Sequence, residues 1–148
     1  MDPGETGFKI IEVISGFGHE NVQAVHPSTV EFTKETHLSK EGDCILVVSA
    51  DKGLTELSPE IREALKNSQA KITIKIEVGN LCEEIHAHGA QHLSLTHPTE
   101  MVVRKSDYAS DRTLGVHADK AAKDLSRELV NKLKNPQQKA KITLTVQT

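Results

Sequence analysis

The residues best equipped for chemistry lie in the last third of the chain. Arg104, Lys105 and Ser106 are consecutive, and Arg112, His117 and Lys120 follow within sixteen positions of Arg104. Two guanidinium forks, two ammonium groups, a hydroxyl and an imidazole are the groups that recognise a phosphate or a carboxylate. The spacing therefore suggests a site for a small anionic ligand. The competing reading pairs Arg104 or Arg112 with Asp107 or Asp111 in ordinary surface ion pairs.

A second group is His86, His88 and His92. On a strand, His86 and His88 share one face, and His92 follows four residues on. Three imidazoles can hold a catalytic metal with a position left open for water, so a metal-dependent enzyme is the alternative reading. His19-Glu20 and the run from His97 to Glu100 pair an imidazole with a carboxylate, as acid–base chemistry requires. No Gly-rich phosphate loop, Gly-x-Ser-x-Gly elbow or Cys/His nucleophile pattern is present, and no cofactor is expected.

The elements that must position these groups are written twice. Asp43 to Gln69 and Asp111 to Gln137 align without a gap at an offset of 68, with 13 of 27 positions identical. Each copy runs from a short apolar strand through Ala-Asp-Lys to an amphipathic helix, then through Ala-Lys-Ile-Thr into a last strand. Upstream, at an offset of 71, Gly18 matches Gly89 and His26-Pro27 matches His97-Pro98. Repetition at about 70 residues reads as an internal duplication with units at about 8–78 and 79–148. Neither unit holds a core of its own, so the two must interlock in a single domain spanning 1–148.

Lys71 to Val78 alternates cleanly, with Ile72, Ile74, Ile76 and Val78 on one face and charged or polar residues on the other. Ile142, Leu144 and Val146 repeat this near the end. Val22 to Val25 and Val30 to Thr33 read as short strands on either side of His26-Pro27. Ser58-Pro59 starts one helix, and Asp119 is expected to cap a second that runs to about Lys134. The sum is an α+β, β-rich domain of sandwich- or barrel-like antiparallel sheets with two helices, related by a pseudo-twofold axis.

At 148 residues, 36% hydrophobic and 26% charged, the chain is an ordinary globular domain. Residues 1–100 carry 8 Lys/Arg against 16 Asp/Glu, and residues 101–148 carry 10 against 5, so the basic third coincides with the candidate anion site. Aromatic residues make up 3% and there is no Trp, which argues against a stacking platform for nucleic acid. Cys44 and Cys82 sit in apolar runs and read as buried thiols of a reducing compartment. With no signal peptide and no long apolar run, a cytoplasmic protein that makes no membrane contact is expected. A third functional reading is a protein–protein interaction domain that uses alternating strands as its edges. The sequence leaves the oligomeric state open.

The runs Gly18-His-Glu-Asn-Val22, His97-Pro98, Arg104-Lys-Ser106, Asp111-Arg-Thr113 and Ala118-Asp-Lys-Ala-Ala122 resemble those of an archaeal family described as a domain of unknown function. The resemblance spans roughly residues 8–147. It implies a β-sandwich-like domain and a cytoplasmic setting, and it assigns no catalytic residue.

Overall fold

The computed structural model describes residues 8–148. In chain order the elements are β1 (Lys9–Phe17), β2 (Thr29–Thr33), β3 (Ile45–Val47), a single 3₁₀ turn (Leu54–Glu56), α1 (Pro59–Leu65), β4 (Lys71–Val78) and β5 (Leu81–His88). Then come β6 (Glu100–Arg104), β7 (Thr113–Gly115), a second 3₁₀ turn (Ala122–Asp124), α2 (Arg127–Lys132) and β8 (Lys139–Gln147). The fold is α+β and β-rich, with two four-stranded sheets and two short helices among the described residues.

One sheet has the order β1-β8-β4-β5 and is antiparallel throughout. Its centre pairs the two alternating strands: Ile72 lies opposite Val146, Ile74 opposite Leu144 and Ile76 opposite Ile142. All six are buried, while Lys71, Thr73, Lys75 and Glu77 face away from the core. Branched side chains pack well on such a half-buried pleated surface.

The other sheet has the order β3-β2-β6-β7. Its central pair β2:β6 is antiparallel, but β2:β3 and β6:β7 are parallel, so this sheet is mixed where antiparallel strands were expected. The connections after β2 (residues 34–44) and β6 (residues 105–112) carry the chain back along the sheet before the next strand begins. Single bridges join the sheets at both edges. Phe17 and Val48 exchange two backbone hydrogen bonds of 2.8 and 2.9 Å, and His88 and Val116 do the same. The closure is barrel-like, around one core that includes Phe32, Leu46, Ile61, Ile74, Leu95 and Leu144.

Exchanging β1 to β4 with β5 to β8 maps each strand order onto its own reverse. Each half also closes against the other half's helix. His19 N–H donates to Leu133 O (2.8 Å), and Ala90 N–H donates to Leu65 O (3.0 Å). Glycine permits this approach, since a Cβ on Gly18 would lie 2.2 Å from Leu133 O and one on Gly89 2.4 Å from Leu65 O.

Three local expectations are corrected. Residues Val22–Val25 are not a strand, because Ala24 turns into the left-handed region at φ 50° and breaks the alternation. Asp119 does not cap a helix. A 3₁₀ turn intervenes, and α2 starts after Ser126, whose Oγ accepts the Leu129 N–H (3.3 Å). Cys82 is exposed, because on β5 the inward positions fall to Ile85 and Ala87 and Cys82 shares the outward face with Glu84, His86 and His88.

The blocking atoms at both glycines are main-chain carbonyls, which cannot swing aside. Gly18→Ala and Gly89→Ala should each destabilise the domain by roughly 2–3 kcal/mol in urea melts, as overpacking against rigid structure does.

Candidate functional site

Ala-Asp-Lys proves to be a latch in both halves. Asp119 Oδ1 accepts the His86 N–H (2.8 Å), and the Asp119 N–H returns to His86 O (2.9 Å). Lys120 pairs with Glu83 (2.9 Å), whose second oxygen accepts the Ser126 N–H ahead of α2 (2.8 Å). In the first half, Asp51 exchanges the same bonds with Ser15, Lys52 pairs with Glu12 (3.0 Å), and Glu12 accepts the Ser58 N–H (2.8 Å). Lys105 pairs with Asp124 (2.7 Å), as Lys34 does with Glu56. Lys105 and Lys120 are thus committed to ion pairs that position the loops. The Ser106 hydroxyl accepts the Tyr108 N–H (3.3 Å), which shapes the turn.

The histidines divide among different partners. His86 lies between Asp119 (3.2 Å) and Glu84 (3.4 Å). His88 meets His117 edge to face, with ring centroids 6.5 Å apart. His92 Nε2 lies 3.2 Å from Asp107 O. His88, His92 and His117 line one open cleft of about 550 Å³ with Ser68, Gln91 and Asp107, and His86 lies outside it. Among the described residues, no three His, Cys, Asp or Glu side chains are grouped to hold a metal ion. His97 is a turn residue: its Nδ1 accepts the N–H groups of Thr99 (3.2 Å) and Glu100 (3.0 Å). His26 caps its own turn from Ser28 and Thr29 in the same way.

Arg104 and Arg112 remain, and the fold brings them together on the outer face of the mixed sheet. Arg104 ends β6. Its Nε donates to Thr113 Oγ1 (2.9 Å), its Nη2 donates to Ser110 Oγ (3.1 Å), and the guanidinium sits 5.0 Å from the Tyr108 ring centre. None of these partners is a carboxylate. Burial, and then the charge of Arg112, hold the Arg104 guanidinium below its ordinary range. Arg112, just before β7, donates through Nη1 to Glu100 Oε1 (2.7 Å), which raises its own proton affinity. The same Nη1 lies 3.8 Å from Glu31 Oε1. The acids opposite Arg112 are therefore Glu100 and Glu31, and neither Asp107 nor Asp111 pairs with it.

Sequence reading missed Glu31. It stands on β2 between Val30 and Phe32, which face the core, so its side chain points to the outer face. Even so it is only 4% exposed. Among the described residues, its carboxyl has one hydrogen bond, a weak one from Cys44 Sγ (3.6 Å). Burial, then repulsion from Glu100, push its carboxyl up to about 7 against the pull of Arg112. Burial and the adjacent Glu31 push the Cys44 thiol up to about 11, so this cysteine is a poor nucleophile at neutral pH. The missed signal was a difference between the two halves in the other direction. Position 31 carries Glu where its partner in the second half, Val102, is apolar.

The fold and this cluster define a closed pair of sheets with a carboxyl–arginine group on one outer face. By sequence, the chain belongs to the family described as domain of unknown function DUF371, whose model matches residues 14–147. It is similar to an uncharacterized protein of Methanocaldococcus jannaschii, MJ0206, at 47% identity over 122 residues, covering 82% of this chain and 90% of that protein. Among the described residues, no helix is long and apolar enough to cross a membrane.

A carboxyl whose proton is held more tightly in the fold than in the open chain stabilises the fold only while it is protonated. Stability should therefore fall as pH rises from the ordinary 4.5 to about 7. The full difference is on the order of 3 kcal/mol. Glu31→Gln should match the wild type near pH 5 and exceed it at pH 8, in chemical denaturation read at both pH values.

Proposed function

We propose that the protein is a binding module for a small anionic ligand, held by Arg104 and Arg112 with Ser110 and Tyr108 at the rim. The observation that carries this reading is the state of Arg104. It is a partly buried guanidinium whose hydrogen-bond partners among the described residues are neutral hydroxyls, set beside a second guanidinium whose charge disfavours its own. An anion between the two relieves that repulsion, and guanidinium groups favour phosphate and carboxylate oxygens. Lys105, Lys120 and the Ser106 hydroxyl support the loops and do not contact the ligand. His117 belongs to the neighbouring cleft.

The reading includes an internal duplication, supported by the matched latches and the self-reversing strand orders. One copy then carries the site. The positions equivalent to Arg104 and Arg112 are Thr33 and Cys44 in the first half.

Thermal melts with sulfate, phosphate and small carboxylates test this. A ligand at ten times its Kd adds about 1.4 kcal/mol, or roughly 3–6 °C for a domain of this size. The shift should shrink with added salt. It should vanish in Arg104→Ala/Arg112→Ala, compared with that variant's own ligand-free melt. A shift that survives the double substitution would place the anion elsewhere.

A further inference from the structure

Resting on that reading, we propose that anion binding at Arg104 and Arg112 is coupled to uptake of one proton by Glu31. The geometry is a competition for one guanidinium. Arg112 Nη1 is shared between Glu100 at 2.7 Å and Glu31 at 3.8 Å. From β6, Glu31 faces the charges of Glu100 and Arg104; from the segment ahead of β7 it faces Arg112; from the segment ahead of β3 it faces the Cys44 thiol, with Asp43 next to that thiol. His97 borders the cluster through the Glu100 N–H.

With Glu31 ionised, two carboxylates balance two guanidiniums, and an incoming anion meets a neutral cluster. With Glu31 protonated, the cluster carries one net positive charge and Arg112 is held by Glu100 alone. Glu31 is too buried to find a replacement partner in water. The proton is therefore the neutralising group that must arrive when an anion takes up the guanidinium donors. Linkage makes the effect reciprocal: a bound anion strengthens proton binding at Glu31, and the proton strengthens anion binding.

Sulfate is the probe, because it remains a dianion across the neutral range and its own titration does not enter. Calorimetry at pH 6 and pH 8 should show sulfate affinity falling on the order of tenfold with rising pH. At neutral pH, two buffers of different ionisation enthalpy should reveal net proton uptake. Glu31→Gln should bind with the tighter, low-pH affinity at both pH values and take up no proton. Glu100→Gln provides a second variant should the first fold poorly. It removes the like charge and frees Arg112 for Glu31, so the midpoint of the affinity change should move to lower pH.

Sulfate binding with the same pH dependence in wild type and Glu31→Gln would overturn the coupling and leave the anion site standing. A midpoint unmoved by Glu100→Gln would count against the coupling in the same way. No sulfate heat and no melting shift at any pH would overturn the anion site itself, and the coupling with it.

Discussion

The structure depends on strands from the two halves pairing at the centre of both sheets. β4 pairs with β8 in one sheet, and β2 with β6 in the other. Either half alone would leave its alternating strand with an unpaired edge and an apolar face in water. Both costs are removed by the same interlocking. It also explains why each half's glycine rests on the other half's helix end, where two main chains approach closer than any Cβ allows. Burial of Ile72, Ile74, Ile76, Ile142, Leu144 and Val146 is a property of the pair of halves and not of either one.

Within this frame, charged residues fall into two groups. Lys34, Lys52, Lys105 and Lys120 each meet a carboxylate that also accepts, or lies beside, a backbone N–H at a loop or helix start. Their contribution is to fix the loops that leave the short strands, and as partly exposed pairs each adds little to stability. Arg104, Arg112, Glu31 and Glu100 form a different kind of cluster. They share one sheet face, where Glu31 is almost wholly buried while Arg112 stays open to solvent. Low polarity around the buried Glu31 makes its carboxyl sensitive to the charges of Glu100 and Arg112.

The asymmetry between the halves has a physical logic. The latches need identical chemistry at both strand–loop junctions, and they have it. The outer face of the mixed sheet has no such requirement. There Glu31 sits opposite Val102, and Thr29 opposite Arg104. The loop before β3 is three residues longer than the one before β7 and buries Leu38. The shorter loop carries Tyr108, which is 62% exposed and stacks on Arg104.

The sequence by itself determined the β-rich class, the strands at β4 and β8, the start of α1 and the family, because strict alternation, Ser-Pro and the family motifs are local signals. It also singled out Arg104 and Arg112, since a cationic pair present in one of two similar stretches and absent from the other is visible by comparison. Tertiary structure alone decided the parallel pairs in the mixed sheet and the role of Asp119 as a strand latch. It also separated His86 from the cleft of His88, His92 and His117, and left Lys105 and Lys120 as loop supports. Above all it decided Glu31. Whether a strand carboxyl is wet or buried depends on which charges the neighbouring strands bring within a few ångströms, and those neighbours lie about 13 to 81 positions away along the chain.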